Sequence, residues 1–263
     1  MVYRPCGRGG SCRLYVNENS CEPIELKTDI NDINQNRYRR TGMSFAIAID
    51  GPAGAGKSTA ARMAAEKLNF IYVDTGAMYR TIGLYMMEHQ VQVEDETCLK
   101  KALDEIHIEI AYRDDVQCMF LNGEDVSGKI RTSEVSQQAS VVAAIPEVRA
   151  KLLDLQRGMA ASQNVIMDGR DIGTAILPDA ELKIYLTASV EERARRRYLE
   201  MTQKGEACSL EEIQKDIADR DWRDMHRETA PLRQAEDAVY LDTSDMTLDE
   251  VVAQITRLAE ERM

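Results

Sequence analysis

Residues 51–58 read Gly-Pro-Ala-Gly-Ala-Gly-Lys-Ser and match the phosphate-binding pattern GxxxxGK followed by Ser or Thr. Its glycines let successive backbone N–H groups turn toward phosphate oxygens, and a helix expected at Lys57–Leu68 adds its positive N-terminus. Lys57 is placed to reach the β- and γ-phosphates, and the Ser58 hydroxyl is placed to bind Mg²⁺. A plain glycine turn would not require Lys and Ser in succession. The predicted triphosphate site is Gly51, Pro52, Ala53, Gly54, Ala55, Gly56, Lys57, Ser58 and Thr59.

A second anion site is indicated where the next expected strand ends, at Asp74-Thr75-Gly76. Thr75 can cap the following helix and direct its hydroxyl, with the helix N-terminus, toward a second phosphate. Arg80 lies close enough along the first turns to join it. The alternative is a capped helix with a solvent-facing arginine.

The third expected strand ends in Asp168-Gly169-Arg170-Asp171. Asp168 is placed to hold Mg²⁺ through water or to orient a substrate. A cation flanked by two acids directly after a buried strand favours a ligand clamp at Arg170. The alternative is an internal Arg–Asp pair.

Two arginine-rich helices follow this segment. The first carries Arg193 and Arg195–Arg197, and in the second Arg220, Arg223, Asp224 and Arg227 project within about 100° of one another at the helical period. Surface ion pairs explain some of these residues. Transfer of a phosphoryl group needs several guanidiniums around the migrating charge, and mobile arginines also exclude water. We therefore expect the clusters to close over a phosphoryl group.

The elements that must position these residues alternate along the chain. Continuous apolar strands between helices predict a parallel sheet covered on both faces, whose ligands bind beyond the carboxyl ends of the strands. One segment departs from this pattern. Apolar and polar residues alternate at Ile106–Tyr112, Val116–Leu121 follows a turn, and a second turn precedes Val126. This pattern predicts an inserted antiparallel meander. The expected strands are Phe45–Asp50, Ile71–Asp74, Val165–Asp168, Leu182–Leu186 and Val239–Leu241. The expected helices, besides the second arginine-rich one, are Lys57–Leu68, Ala77–Glu88, Glu147–Met159, Val190–Gln203 and Leu248–Arg262.

The bulk properties narrow the class of protein. The chain has 263 residues, 44% of them hydrophobic, and a net charge of −12, which disfavours non-specific nucleic-acid binding. No apolar run approaches the roughly 18 residues of a membrane span. Residues 1–42 contain seven Lys or Arg and five Asp or Glu, show no hydrophobic periodicity and lack the apolar core of a signal peptide. We expect this extension to be disordered, or to be an artefact of upstream translation, with Met43 as the working start.

The chain from Met43 to Met263 resembles the bacterial cytidylate kinases, a family of nucleoside monophosphate kinases. The resemblance rests on GPAGAGKS, DTGAMYR, NGEDVSGKIRTSEVS, DGRDIGT, LPDA, EERARRR and the RDWRDMHR…APL segment. It implies an α/β fold with a five-stranded parallel sheet flanked by helices, an inserted monophosphate-binding domain containing the meander, and a short lid. The implied bounds are a core at 43–75 and 163–263, an insert at about 76–162 and a lid at about 193–206.

The resemblance also implies a role for each candidate residue. The acceptor phosphate is held by Thr75, Arg80, Arg170 and Arg227. The cytosine edge is read by Ser140, Arg149 and Asp171, and the ribose is held by Arg220 and Asp224. Asp168 is also expected among the CMP-binding residues. Arg196 and Arg197 reach ATP from the lid, and the catalytic cations are Lys57, Arg170, Arg196 and Arg227.

The expected reaction is transfer from ATP to CMP or dCMP with Mg²⁺ by a cytoplasmic monomer that binds neither nucleic acid nor membrane. A carboxylate at Asp171 favours a 4-amino over a 4-keto pyrimidine, which predicts cytidylate over uridylate. The alternatives are a kinase of another small acceptor, such as adenylate, thymidylate or shikimate, and a nucleotide-binding switch or regulatory ATPase. The sequence has no NKxD motif, which a guanine-selecting switch requires.

Overall fold

The computed structural model describes residues 14–16, 44–113, 116–203, 205 and 207–263. Its strands are β1 Leu14–Val16, β2 Ala46–Asp50, β3 Ile71–Asp74, β4 Ile108–Arg113, β5 Val116–Leu121, β6 Glu124–Asp125, β7 Val165–Gly169, β8 Leu182–Thr187 and β9 Val239–Asp242. Five of them form one parallel sheet in the order β3-β7-β2-β8-β9. The predicted parallel core is confirmed, and its predicted strands differ from the observed ones by at most one residue at either end.

The helices are α1 Lys57–Leu68, α2 Thr75–Glu88, α3 Glu96–Glu105, α4 Ser133–Val142, α5 Pro146–Ser162, α6 Val190–Gln203, α7 Leu210–His226 and α8 Leu248–Glu260. Successive side chains of a strand point to opposite faces of the sheet. Apolar side chains therefore project from both faces, and helices cover each of them. Ile47 and Ile49 of β2 pack with α1 and α8, whereas Ala46 and Ala48 pack with α2 and α5. Burial on both faces explains why the strands read as continuous apolar runs.

The register of the sheet brings three strand ends together. Asp74 of β3 and Ile49 of β2 both lie opposite Asp168 of β7, and Asp50 lies opposite Gly169. The loop after β2, the N-terminus of α2 and the segment after β7 therefore meet at one edge of the sheet. This is the edge at which the candidate residues were expected.

The second sheet has the order β1-β4-β5-β6, with β4, β5 and β6 in the predicted insert. Strands β4, β5 and β6 are antiparallel, which confirms the predicted meander, although β6 ends one residue before Val126. Helices α3 and α4 of the insert lie outside the predicted helices. Helix α3 starts where the Asp95 carboxylate accepts the N–H groups of Thr97 and Cys98.

Three residues of the N-terminal extension are described, namely β1, which pairs in parallel with residues 110–112 of β4. The remainder of 1–42, for which we predicted disorder, lies outside the described residues, as do residues 204 and 206 in the predicted lid. The predicted domain bounds stay predictions. Within the described part of the chain, every helix is too short or too polar to cross a bilayer.

Candidate functional site

The loop between β2 and α1 has the backbone that its glycines permit. Gly51 has φ of +149°, and a Cβ there would lie 1.9 Å from the carbonyl oxygen of Leu186 in the neighbouring strand. Gly56 has φ of +84° and is the N-cap of α1, so the helix begins at Lys57. Only glycine suits both positions, because one needs close backbone approach and the other a left-handed conformation. The N–H groups of the first turn of α1 then face the cleft described below.

Lys57 lies folded across this loop, with Nζ donating to the carbonyl oxygen of Pro52 at 2.7 Å. Burial and the charge of Arg170 together lower the pKa of its ammonium to about 7, although the charges of Asp168 and Asp50 oppose that lowering. Burial and a neighbouring cation disfavour the charged form of this lysine, so a bound polyanion would stabilise its charge. This observation supports the predicted phosphate contact.

Ser58 and Asp168 form a pair of oxygen donors beside the loop. The Ser58 hydroxyl donates to Oδ2 of Asp168 at 2.8 Å, and the Tyr72 hydroxyl donates to Oδ1 at 2.9 Å. Burial raises the pKa of Asp168 to about 6, with the charge of Asp74 adding to the effect. A hydroxyl and a carboxylate are ligands suited to Mg²⁺, which binds through one or two such oxygens and keeps several waters. The residues present therefore fit the metal that was predicted at Ser58.

Asp50 is buried at the end of β2 and had no predicted role. Its two carboxylate oxygens accept the N–H groups of Ile172 and Gly173, each at 2.8 Å. Burial raises its pKa to about 7, although the two amide hydrogen bonds oppose that rise. The carboxylate thus fixes the turn that immediately follows Asp171. A sequence signal existed, since Asp50 ends a buried strand as Asp74 and Asp168 do.

The predicted cap of α2 is wrong. Asp74, not Thr75, is the N-cap, and its carboxylate accepts the N–H of Ala77 at 2.8 Å. Because β3 runs to Asp74, Thr75 is already the first helical residue, and its hydroxyl donates to the carbonyl oxygen of Asp168 at 2.7 Å. Arg80 pairs with the other carboxylate oxygen of Asp74 at 2.8 Å, so it is not simply directed at solvent.

Arg170 and Ser140 meet on the carboxylate of Asp224. Arg170 Nε donates to Oδ2 at 2.8 Å, and the Ser140 hydroxyl donates to Oδ1 at 3.3 Å. The partner of Arg170 is therefore an acid of α7 and not one of its two sequence neighbours. This carboxylate joins α4 of the insert, the segment after β7 and α7 at one point.

Asp171 lies between two arginines. It forms ion pairs with Arg149 of α5 and with Arg227 at the end of α7, and its side chain is 4% exposed. The guanidinium of Arg149 also lies 5.8 Å from the ring centroid of Tyr79. The structure thus brings Arg149 to Asp171, as predicted for a base-reading pair, but Arg149 stands behind Asp171 and does not itself line the cleft.

Two arginine nitrogens at the site lack a partner. The Nε atoms of Arg80 and Arg220 are buried and make no hydrogen bond within the described part of the chain. Burial, with the nearby charge of Arg170, lowers the pKa of Arg220 to about 10. An unsatisfied buried donor is costly, and a bound anion would remove that cost.

The arginines of the first arginine-rich helix, α6, differ in how closely they approach the phosphate-binding loop. Arg196 bonds Glu192 at 2.8 Å and the carbonyl oxygen of Thr243 at 2.7 Å, and it borders the loop near Gly56. Arg197 bonds Glu200 at 3.3 Å and is about half exposed. Arg196 is thus held against the loop, whereas Arg197 lies at the rim of the cleft.

Arg193, which begins the predicted lid, is buried against the loop and bonds Asp221 of α7. The sequence placed both residues in charged helices but carried no signal that they meet. Long-range pairs of this kind depend on how α6 and α7 pack together.

One cleft of about 1390 Å³ collects most of the candidate residues. It is lined by the loop from Ala53 to Thr59, by the second anion site at Thr75 and Arg80, and by the arginines of α6 and α7. The side chains of an acidic protein thus supply a concentrated set of cations here. The arrangement can bind a polyphosphate at the loop and a second phosphate within reach of it.

The family model for cytidylate kinase matches residues 47–261. The cytidylate kinase of Lactobacillus johnsonii is 46% identical over 226 residues, which cover 85% of this chain and 98% of that protein. The cytidylate kinase of Carboxydothermus hydrogenoformans is 50% identical over 212 residues, 81% of this chain and 96% of that protein. The cytidylate kinase of Streptococcus pneumoniae is 50% identical over 221 residues, 84% and 99% of the two chains.

Proposed function

The chain belongs to the cytidylate kinase family, and on that premise we propose that its cleft transfers the terminal phosphoryl group of ATP to CMP, and also to dCMP. The observation that carries the proposal is the convergence of a phosphate-binding loop and a second set of arginines, two of them with unsatisfied Nε atoms, in one cleft. A single polyphosphate on the loop would leave that second set without a ligand. A phosphorylated acceptor satisfies both sets.

At the donor end, the backbone N–H groups of the loop and the N-terminus of α1 hold the ATP phosphates. Lys57 leaves the carbonyl oxygen of Pro52 and bonds the β- and γ-phosphates, whose charge offsets that of Arg170. Arg196, already against the loop, and Arg197 at the rim complete the donor site. Ser58 and Asp168 would hold Mg²⁺, which would neutralise negative charge on the phosphate groups.

At the acceptor end, Arg80, Arg170 and Arg227 bind the phosphate of CMP. Thr75 contributes through the N-terminus of α2, because its own hydroxyl proton is bonded to the Asp168 carbonyl oxygen. The acceptor phosphate oxygen then attacks the γ-phosphorus in line with the leaving ADP oxygen. No protein nucleophile takes part, and the lysine and arginines stabilise the charge shared between donor and acceptor.

The base and the sugar are read by the residues that join the insert to α7. Asp171 accepts a hydrogen bond from the 4-amino group of cytosine, since its carboxylate has lone pairs beyond those used by Arg149 and Arg227. Ser140 and Arg149 orient that contact. Arg220 and Asp224 bind the ribose, with Asp224 also anchored by Arg170.

The test is an assay of ADP release by the purified chain with Mg·ATP and, one at a time, CMP, dCMP, UMP, AMP, dTMP and shikimate. The proposal predicts turnover that depends on the acceptor and is fastest with CMP. ATP hydrolysis that is indifferent to the acceptor would indicate an ATPase or a switch. Fastest turnover with any other acceptor would assign the chain a different substrate.

A further inference from the structure

A buried ion pair outside the predicted substrate contacts holds the first turn of the phosphate-binding loop. Arg193 Nη1 donates to the carbonyl oxygen of Ala53 at 2.9 Å, and Oδ1 of Asp221 accepts the N–H of the same residue at 3.3 Å. The two side chains bond each other at 2.5 Å. Both backbone polar groups of one loop residue are thus bound by one charged pair.

The pair is set deep in the protein. The side chains of Arg193 and Asp221 are 4% and 9% exposed, and Arg193 Nε also donates to the carbonyl oxygen of Ala188 at 2.9 Å. A buried ion pair is weak evidence for net stabilisation, because the desolvation of two charges offsets their attraction. Its geometry is therefore more informative than its energy.

The geometry joins three parts of the cleft. Arg193 lies one turn before Arg196 on α6, and Asp221 follows Arg220 on α7, the helix that also carries Asp224. A Cβ at Gly54 would lie 3.6 Å from Cβ of Arg193, so α6 packs directly on the loop. The donor loop, the donor arginines and the acceptor helix therefore share one anchor.

We propose that Arg193 and Asp221 are positioning residues, which hold the loop at Ala53 in register with the acceptor site on α7. The inference rests on the proposed function for its reference to an acceptor. A small displacement of reacting groups costs a large factor in rate, so loss of the anchor lowers kcat more than it lowers acceptor binding.

The experiment compares Arg193→Lys and Asp221→Asn with two exposed control residues that make the same kinds of hydrogen bond away from the loop. Lysine keeps the charge but lacks the planar fork that bonds several groups at once. Arg157→Lys is the first control, because Arg157 also donates to two backbone carbonyls, those of Ala175 and Ile176. Glu181→Gln is the second, because Glu181 also accepts a backbone N–H, that of Ala46 at 2.7 Å.

All purified proteins are assayed at one temperature, at which the melting curve of each shows it to be folded, so that a change in kcat does not arise from loss of folded enzyme. The readouts are kcat, the Kd of ATP without acceptor and the Kd of CMP without ATP. We expect both test variants to lose at least about tenfold in kcat and to bind ATP at least about fivefold more weakly, with CMP affinity within about twofold of wild type. The controls stay within about twofold in all three quantities.

Unchanged kcat and ATP affinity in folded test variants would overturn the inference, whatever their melting temperatures. Equal losses of ATP and CMP affinity would also overturn it, since they would indicate general disruption of α7. If one test variant does not fold, the other still tests the inference. If neither folds, Asp221→Glu, which keeps a carboxylate on a longer side chain, is assayed in their place. A wild-type chain that does not phosphorylate CMP would overturn the proposed function and leave the comparison of ATP affinities intact.

Discussion

The substitution Arg220→Met tests whether the acceptor site is built for its nucleotide ligand at the expense of stability. In the protein, Arg220 Nε is buried without a partner, and burial together with Arg170 lowers the pKa of the guanidinium to about 10. At about 1.4 kcal/mol per pKa unit, that lowering corresponds to about 3 to 4 kcal/mol at most, and to about 1 to 2 kcal/mol after allowance for solvent screening. Methionine keeps much of the volume and removes the charge, so we expect the variant to be more stable by about that amount.

For a domain of this size each kcal/mol raises the melting temperature by about 2 to 4 °C, which differential scanning calorimetry resolves. The matched control is Arg193→Met. It removes a buried arginine whose partners are all satisfied and leaves Asp221 charged and unpaired, at an expected cost of about 3 to 5 kcal/mol. The two arginine-to-methionine changes should therefore shift stability in opposite directions.

Bound CMP is expected to reverse the order of stability of the wild type and Arg220→Met. A ligand that binds only the folded state raises stability with its concentration over its Kd, so saturating CMP should stabilise the wild type by several degrees and Arg220→Met by much less. A variant that melts below the wild type and gains as much from CMP would refute the reasoning. It would mean that Arg220 is an ordinary packing residue of α7.

Three further predictions concern the donor site and the base. Lys57→Ala should abolish phosphoryl transfer while the fold, followed by circular dichroism, is retained, and measurable turnover would refute the assignment of the loop. The value of kcat/KM for ATP should fall below about pH 6, where Asp168 becomes protonated, and above about pH 7, where Lys57 loses its proton. A flat profile from about pH 5.5 to 8 would contradict both roles. Asp171→Asn removes a charged hydrogen-bond acceptor worth about 1.5 to 3 kcal/mol, so kcat/KM for CMP should fall about 10- to 150-fold and the preference for CMP over UMP should narrow. An unchanged preference would place base recognition elsewhere.

The sheet was predictable because its strands are buried on both faces, so that β2, β7 and β8 stand out as short apolar runs. The loop was predictable because its chemistry lies within eight consecutive residues. Helices α3 and α4 were not, because they are short and their apolar positions are few. The start of α2 was less predictable, because the helix begins at Thr75, two residues before the predicted Ala77, and its N-cap is therefore Asp74.

Within the site, residue types were easier to predict than their partners. Arg170 was recognised as a clamp candidate, but its acid is 54 residues away on α7. Asp50 ends a strand as expected, yet its amide partners lie 122 and 123 residues further along. Such pairs form only when the whole fold brings the elements together, so the spacing of residues in the chain carries no record of them.

The central claim is that this chain phosphorylates CMP and distinguishes it from UMP through Asp171. The most direct measurement is kcat/KM for CMP and UMP under identical Mg·ATP conditions, with the diphosphate product identified by ³¹P NMR. The proposed contacts predict CDP as a product and a ratio in favour of CMP of at least about tenfold, the effect of one unpaired buried acceptor. Equal values for the two acceptors, or no diphosphate from CMP, would contradict the account.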